Sequence, residues 1–483
     1  MASTIFEKHS PGRKGYTLPD NDVDIKLENC IPTEFSRKED ARLPEVSELD
    51  VMRHFLELAQ MNHCIEKGFY PLGSCTMKYN PKINETLARN HSFNNLHPFQ
   101  DENSVQGALE ILYDLQEALA EISGFAKVTL QPVAGAHGEF TGLKVMKAYH
   151  DSKGHANKKK IILPDSAHGT NPASVVLAGF EVVEIKSNDK GLVDIDDLRA
   201  HVDENTAGFM LTNPNTLGLF ETQVEEISEI VHSVDGLMYM DGANFNAILG
   251  IVKPGEMGFD IMHYNLHKTF ATPHGGGGPG SGPIGVRTDL AKFLPTPMID
   301  KYDEKYFLDY SHEETSLGKV HSFFGNFAVN LRAYIYIKML GTKGLRRISE
   351  NAVINANYIQ KKLEKYYDIP YKDQYCMHEF VASGVWQKEK YGISTLDIAK
   401  RILDKGFHAP TIYFPLIVPE AMMIEPTETE SMETLDDFIT AMIDIAKECE
   451  EHPELLTGAP QNTPVKRVDD TLAVRQLNVK FEW

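Results

Sequence analysis

The sequence predicts an α/β protein built on a mostly parallel sheet, with helices covering both faces. Between residues 104 and 335, short apolar runs alternate with segments whose apolar residues recur at helical spacing. Polar or glycine-containing turns directly follow several of these runs, an arrangement that puts ligands at the carboxyl ends of parallel strands. The predicted strands are 128–131, 160–164, 181–185, 208–212, 237–240, 259–263 and 283–287.

The chain divides by pattern into three parts. Residues 1–92 begin with an extended arm that is rich in proline and charge, and they contain a helix over 50–62. Residues 93–335 form a large domain whose helices include 104–124, 138–149 and 221–234. Residues 336–483 form a smaller α+β domain. The pattern near and within this last part predicts helices over 326–340 and 345–366, a strand over 379–383 and a final helix over 435–451.

Composition excludes several classes of function. The chain has 483 residues, of which 42% are hydrophobic and 24% charged, as in an ordinary globular protein. A formal net charge of -21 argues against nucleic acid and against an anionic membrane surface, because phosphate groups attract basic faces. Five cysteines are scattered without paired spacing, which indicates reduced thiols. We therefore expect a cytoplasmic enzyme that acts on small molecules, and we predict no metal site.

The stretch 264–282 contains the most informative residue, Lys268. An apolar run precedes this lysine and a glycine-rich loop follows it. Glycines let the backbone approach a ligand closely and expose N–H groups to an anion. A lysine at such a junction is placed to be a partly desolvated amine, which is the state that forms Schiff bases. The alternative is a solvated lysine ahead of a flexible linker.

Two earlier loops that follow predicted strands suit an aromatic, phosphorylated ligand. Ala134, Gly135 and Ala136 lead straight into a helix, whose first N–H groups and positive dipole end favour phosphate. An ordinary strand-to-helix turn is the alternative. His168 lies in the loop 164–172, where its imidazole can stack on a flat ring; otherwise it is a loop histidine without a ligand.

Two further loops supply partners for the polar atoms of such a ring. Asn213 offers an amide donor to a phenolate oxygen, although Asn-Pro turns also occur for purely structural reasons. Asp241 ends an apolar run, where a carboxylate can keep a ring nitrogen protonated by ion pairing, or can cap the next turn. Together the five features supply a phosphate cradle, a ring stacker, a phenolate donor, a pyridinium partner and a Schiff-base amine. These are the parts of a pyridoxal phosphate (PLP) site.

The order of these features resembles the large domain of fold-type I PLP enzymes. More narrowly, five motifs resemble glycine decarboxylase, the P-protein family of the glycine cleavage system: residues 73–78, 167–172, 265–270 with their glycine tail, 406–411 and 424–428. The resemblance covers nearly the whole chain. The single-chain form of the family is much longer, and this chain resembles only its C-terminal, lysine-bearing half. It is therefore similar to the bacterial subunit 2, whose family works with a separate subunit 1 as an α2β2 heterotetramer.

The resemblance implies a role for each site residue. Lys268 would bind PLP as a Schiff base, Asp241 would keep the pyridine nitrogen protonated and His168 would stack on the ring; these three are the predicted catalytic residues. The implied activity is decarboxylation of glycine, with release of CO2 and transfer of the aminomethyl group to the lipoyl group of the H-protein. The predicted cofactor-binding set is Ala134, Gly135, Ala136, His168, Asn213, Asp241, Ala243, Asn265, His267 and Lys268.

The residues that bind the glycine carboxylate are harder to assign, because no arginine lies in any of the five loops. The candidates are Lys78, Asn80, His274 and His378. His267 and His274 flank the lysine, where they are candidate proton carriers or else histidines that pack the loop.

Two other functions fit part of the pattern. Another fold-type I enzyme, such as an amino-acid decarboxylase or a sulfur-transferring lyase, would keep the same five features but act on larger substrates without a lipoyl carrier. A non-catalytic assembly subunit would keep the fold, but it would have no physical need for both Lys268 and Asp241. Glycine specificity and PLP binding separate these alternatives.

Overall fold

The computed structural model describes residues 3–15, 17, 19–20, 22–26, 29–39, 41–275 and 280–482. Two compact units are distinguished, one comprising Met1–Gly68 with Ala459–Trp483 and the other Phe69–Gly458. Residues 276–279 of the glycine-rich loop lie outside the described residues, as do parts of the N-terminal arm. The domain boundaries expected after residues 92 and 335 stay a prediction.

The helices have local sequence causes that are visible at their ends. In α1, predicted over 50–62, Ser47 and Asp50 form a reciprocal capping box. None of the helices in the described ranges has the length and apolar character needed to cross a membrane. The helices are α1 (Glu48–Met61), α2 (Lys82–Ala88), α3 (His91–Asn94), α4 (Gln106–Ser123), α5 (Gly135–Ser152), α6 (Thr170–Ala178), α7 (Ile195–His201), α8 (Val224–His232), α9 (Phe327–Leu363), α10 (Val385–Tyr391), α11 (Thr395–Asp404), α12 (Met432–Glu451), α13 (Pro453–Thr457) and α14 (Asp470–Arg475).

Seven strands of the larger unit form one sheet, in the order β1-β7-β6-β5-β4-β2-β3. All neighbouring pairs are parallel except those made by β7, which is antiparallel to both β6 and β1. Each predicted strand corresponds to one of these, so the mostly parallel seven-stranded sheet is confirmed. The strands are β1 (Lys127–Thr129), β2 (Lys160–Pro164), β3 (Glu181–Ile185), β4 (Thr206–Thr212), β5 (Leu237–Gly242), β6 (Ile261–Tyr264) and β7 (Ile284–Val286).

The central strands are continuous apolar runs because both faces of the sheet are covered. Successive residues of a strand point to opposite faces. Ile161 and Met210 accordingly pack in one buried apolar cluster, whereas their neighbours Ile162 and Phe209 pack in another. This two-sided burial is typical of parallel sheets between helical layers, and it explains why the runs predicted the strands.

Beyond the sheet, the larger unit contains a strand pair and a second, antiparallel sheet. β8 (Met298–Tyr302) pairs with β9 (Lys305–Asp309), a hairpin that the sequence pattern did not predict. β10 (Phe380–Ser383), β12 (Ala421–Ile424) and β11 (Thr411–Ile412) follow in that spatial order. The two long helices predicted around residue 341 are the halves of α9, which breaks where Gly341 adopts φ 57° and ψ -179°.

The loop 71–78 is anchored on β12, which lies about 350 residues further along the chain. Gly73 N donates to Met423 O at 3.2 Å, and Glu425 N donates to Pro71 O at 3.2 Å. A Cβ at Gly73 would lie 2.6 Å from Met423 O, so glycine permits this close approach. The loop therefore joins the second sheet and leads its polar residues towards the Lys268 loop.

Candidate active site

The predicted site residues meet at the carboxyl ends of the parallel strands. His168 follows β2 and Asn213 follows β4. Asp241 is the second-last residue of β5, and Lys268 follows β6. Ala134 precedes α5 in the connection after β1. Because parallel strands end at one edge of a sheet, the fold brings these loops together as expected.

Lys268 lies in a tight turn that packing on both sides holds in place. Lys268 N donates to Asn265 O at 3.0 Å, and Leu266 N donates to Ser281 O at 3.3 Å. Ala271 adopts a left-handed φ of 50°, and its carbonyl accepts a hydrogen bond from Asn80 Nδ2 at 2.9 Å. Lys268 itself is half-buried, so its amine is partly withdrawn from water.

Asp241 is a buried carboxylate, only 1% exposed, whose oxygens are all oriented by neighbours. Asn171 Nδ2 donates to Oδ2 and Ala243 N donates to Oδ1, both at 2.9 Å. His263 Nε2 lies 3.2 Å from Oδ1. Burial alone would raise the pKa of Asp241, but the neighbouring imidazoles of His263 and His168 and these hydrogen bonds hold the pKa below its ordinary value. The carboxylate therefore stays ionised while buried.

His168 begins the polar turn that leads into α6. Thr170 N donates to His168 Nδ1 at 3.3 Å, and Thr170 Oγ1 donates to the buried Glu139 at 2.8 Å. Phe414 meets the imidazole edge-on, with ring centroids 5.7 Å apart. Burial lowers the pKa of His168, so the ring is favoured in its neutral form. The ring is thus fixed by its neighbours, while its stacking on a ligand stays a prediction.

The N-terminus of α5 forms a cradle in which glycine is required. No described side chain caps this helix, whose N-cap position is Ala134. A Cβ at Gly282 would lie 2.0 Å from Ala134 O, and one at Gly135 would lie 2.2 Å from Asn265 Oδ1. The segment before β7 therefore packs directly on the start of α5, and the helix presents its first N–H groups to an anion.

Asn213 is fully buried, and its amide is engaged by the backbone of Glu221. Its Oδ1 accepts from Glu221 N at 3.0 Å, and its Nδ2 lies 3.5 Å from Glu221 O. Its role towards a phenolate oxygen stays a prediction. Ala243 lies beside Asp241, and Asn265 lies beside Gly135; their place in the cofactor site stays a prediction.

His267 and His274 form an edge-to-face pair beside the lysine, with ring centroids 5.3 Å apart. Burial, together with His274 and Lys268, lowers the pKa of His267 to about 3. Burial and Lys268 lower the pKa of His274 to about 4. Among the described residues, His274 Nε2 has no hydrogen-bond partner. Both rings are therefore neutral near pH 7 and are weak bases at that pH.

Lys78 is a buried ammonium with a partner for each of its three N–H groups. Its Nζ lies 2.7 Å from Asn246 Oδ1, 2.7 Å from Glu428 Oε1 and 3.3 Å from Tyr336 OH. Binding a substrate carboxylate would require one of these partners to be released. Of the other substrate candidates, Asn80 holds the lysine turn and His378 is buried without exposure.

Two buried acidic residues near Lys268 were not among the site residues predicted from the sequence. Glu379 and Glu425 are both 0% exposed, and Lys268 acts electrostatically on each of them. The signal available in the sequence was an acid directly beside a short apolar run, before 380–383 and after 421–424. His263 and Asn171, which orient Asp241, carried no separable signal.

Comparison with solved structures defines the class of protein. The chain resembles a crystal structure of glycine decarboxylase (P-protein) of the glycine cleavage system in inhibitor-bound form, with a TM-score of 0.73 and 19% identity over 87% of this chain and 94% of that one. It also resembles Lactobacillus brevis glutamate decarboxylase (TM-score 0.66, 13% identity, 87% and 97% covered) and a NifS-like protein (TM-score 0.60, 14% identity, 78% and 100% covered). The fold is that of the fold-type I PLP-dependent enzymes.

Sequence comparison narrows this class to one family. The family model "Glycine cleavage system P-protein" matches residues 16–305, and "Glycine dehydrogenase, C-terminal domain" matches residues 348–466. Relatives named probable glycine dehydrogenase (decarboxylating) subunit 2, from Bacillus cytotoxicus and Bacillus cereus, are 58% identical over 479 residues, which cover 99% of this chain and 97% of theirs. The chain belongs to the glycine cleavage system P-protein family.

Proposed function

We propose that the chain is the PLP-bearing subunit of a glycine dehydrogenase (decarboxylating), which releases CO2 from glycine and passes the aminomethyl group to a lipoylated H-protein. The observation that carries the proposal is the meeting of Lys268, Asp241 and the uncapped start of α5 at one sheet edge. Identity of 58% to relatives named for this activity supports the choice of glycine.

The residues fit the chemistry of PLP at three points. The start of α5 is lined by glycines whose Cβ positions would be filled by backbone or amide atoms, so a phosphate can approach its N–H groups. Asp241 is a buried, ionised carboxylate, as a protonated pyridine nitrogen requires. Lys268 supplies the half-buried amine. When bound, PLP supplies an electron sink for the bond that breaks at the substrate carbon.

Each residue has a defined task in this proposal. Lys268 Nζ would hold the cofactor covalently and would be released by the substrate amine. The Asp241 carboxylate would hold a proton at the ring nitrogen, and His263 and Asn171 fix the carboxylate in its orientation. His168 would stack on the ring and Asn213 would serve its phenolate oxygen. The neutral His267 and His274 pack beside Lys268, and their lowered pKa values make them weak proton acceptors near pH 7.

The proposal also includes partners and a location. The lipoylated H-protein would receive the aminomethyl group, and a subunit 1 chain would complete an α2β2 assembly, since the Bacillus relatives are named as second subunits. A net charge of -21 suits a cytoplasmic chain that binds neither nucleic acid nor membrane.

The test is the visible absorbance of the PLP-loaded chain during titration with glycine and with bulkier amino acids, with and without subunit 1. We expect a Schiff-base band that responds to glycine alone. Lys268→Ala should lose that band and all release of CO2 from glycine in the presence of lipoylated H-protein. Continued decarboxylation by Lys268→Ala would refute the assignment, and a response to larger amino acids would favour another fold-type I decarboxylase.

A further inference from the structure

A buried cluster of ionisable groups lies where the loop 71–78 meets the second sheet. His378 and Glu379 lead into β10, and Glu425 follows β12. All three side chains have 0% exposure. One carboxylate oxygen of each glutamate and one ring nitrogen of His378 lie within 4.8 Å of one another. The tasks proposed above leave both glutamates without a role.

Both carboxyl groups are fixed by the loop 71–78. Glu379 accepts hydrogen bonds from Ser74 N at 2.7 Å and from Asn244 Nδ2 at 3.1 Å. Glu425 accepts from Thr76 N at 2.9 Å and from Thr76 Oγ1 at 2.5 Å. Ser74 and Thr76 both have left-handed backbone, with φ of 61° and 46°. Since the carboxyl groups hold this strained loop, they cannot separate to relieve their mutual repulsion.

His378 points into the cluster without neutralising it. Its Nε2 lies 3.9 Å from Glu379 Oε1 and 3.8 Å from Glu425 Oε1. Among the described residues, neither ring nitrogen of His378 has a hydrogen-bond partner. Burial and the nearby Lys268 and Lys78 lower the pKa of His378 to about 3. The ring is therefore neutral near pH 7 and contributes no positive charge.

The described charges around the pair leave one carboxyl group uncompensated. Lys78 lies 2.7 Å from Glu428, so those two neutralise each other. Burial raises the pKa of Cys75, which keeps this neighbouring thiol neutral. Lys78 also acts on Glu425 but already faces Glu428, so Lys268 is the cation that acts on both glutamates. Two fully buried carboxylates facing one ammonium would leave a net buried charge, which is costly unless a proton is retained.

We propose that Glu379 and Glu425 hold one proton between them, and that the single negative charge left on the pair stabilises the cationic form of the Lys268 nitrogen. Burial raises the pKa of Glu425 to about 7, and burial with the adjacent Glu425 raises that of Glu379 well above its ordinary value. The effect on Lys268 rests on the proposed role of that lysine, whereas the shared proton rests on the cluster alone.

Infrared difference spectroscopy between neutral and alkaline pH tests the shared proton directly. The wild-type chain should show one carboxylic-acid C=O band that disappears on deprotonation, and both Glu379→Gln and Glu425→Gln should lack it. Glu221→Gln is the matched control, because Glu221 is 1% exposed and accepts two backbone N–H groups but is not a member of the cluster. This control should keep the band.

A more conservative variant keeps the proposal testable if the glutamine variants fail to fold. Thr76→Val removes the hydroxyl group that donates to Glu425 and keeps both carboxyl groups. The band should remain but shift in frequency. A band that survives in both glutamine variants, or that ignores Thr76→Val, would overturn the proposal. So would a stoichiometric metal ion in the wild-type chain that is lost in both glutamine variants.

The link to Lys268 is tested by the pH titration of the visible band in the PLP-loaded chain. In the wild type and in each single glutamine variant, the acid pair keeps one negative charge beside Lys268. The midpoints of their pH titrations should therefore agree. The double variant removes that charge and should lower the midpoint by about one to three pH units, because a cation loses its stabilising anion. Single variants that each give half of this shift would mean that both carboxyl groups are ionised in the wild type.

The two arms separate this inference from the proposed function. An infrared band that behaves as expected in a chain without a Schiff-base absorbance would refute the role of Lys268 and leave the shared proton standing. A normal Schiff-base absorbance without the infrared band would refute the shared proton and leave the role of Lys268 standing.

Discussion

Replacing Gly282 by alanine should weaken cofactor binding without unfolding the chain. The added Cβ would lie 2.0 Å from Ala134 O, whereas ordinary van der Waals contact begins at 3.4 Å. The segment before β7 and the start of α5 must therefore separate by roughly 1.4 Å. Neither side can yield by rotating a side chain, because the atom that is met is backbone. Ala134 O also accepts the hydrogen bond from Gly138 N at 2.9 Å, so the first turn of α5 moves with it.

The magnitude follows from the cost of overpacking. Forcing a buried backbone to shift by this much typically costs about 1–3 kcal/mol. Because bound phosphate needs the undisplaced N–H groups of α5, the cost falls on cofactor binding, where it corresponds to a roughly 5- to 140-fold higher Kd for PLP. The assay is a titration of the cofactor-free chain with PLP, followed by absorbance. Circular dichroism and the Tm of the cofactor-free variant report whether the fold is retained.

Gly107→Ala is the matched control. Gly107 lies in α4, and a Cβ there would meet nothing within 4 Å. This variant should bind PLP as the wild type does. A Gly282→Ala chain that binds PLP within about twofold of the wild type would refute the placement of phosphate at the start of α5, since the predicted penalty is larger.

Three further outcomes are expected. Asp241→Asn should retain PLP binding but lose decarboxylation by roughly 10²–10³-fold, measured as CO2 release; an unchanged rate would reduce Asp241 to a cap for Ala243. The Tm of the wild type should fall between about pH 4.5 and 7, and this fall should be smaller in Glu425→Gln. Folding raises the pKa of Glu425 to about 7, so the stabilisation from this group is complete below its unfolded pKa and is lost as the pH rises through its folded pKa. An equal slope in both chains would contradict this. Lys78→Met should destabilise the chain by about 3–5 kcal/mol in urea unfolding, because Glu428 loses its buried cation; Lys78→Met with Glu428→Gln should recover part of the loss, and no recovery would count against the pair.

The large sheet was predictable because its causes are local. β2, β4 and β5 are buried on both faces, so each appears as an apolar run followed by a polar turn. The same rule placed Asp241 and Lys268 at neighbouring strand ends. The hairpin β8–β9 was missed because its residues are mostly half-exposed or exposed and include lysine and aspartate at several positions, a composition that does not distinguish a strand from a loop.

The supporting contacts of the site could not be predicted, because they join distant parts of the chain. Nothing near Asp241 in the sequence indicates that Asn171, 70 positions earlier, will donate to it. The ion pair of Lys78 could not be predicted either, because its partner Glu428 is 350 positions away. Sequence spacing identifies which loops converge, whereas the choice of hydrogen-bond partners depends on the packed geometry.

The anchoring of loop 71–78 on β12 sets the order in which the protein can be completed during synthesis. The loop residues Ser74, Thr76 and Lys78 form hydrogen bonds with partners that come much later in the chain. These partners are Glu379, Glu425 and Glu428, at separations of 305, 349 and 350 residues. Contacts this distant form late, since closing long loops is entropically slow and unfavourable until many contacts form together. A nascent chain can therefore complete its seven-stranded sheet while the residues that hold the loop 71–78 are still inside the ribosome. Chains that terminate before residue 379 would retain Lys268 but leave a buried ammonium and two strained backbone positions unsupported, which makes them substrates for quality control.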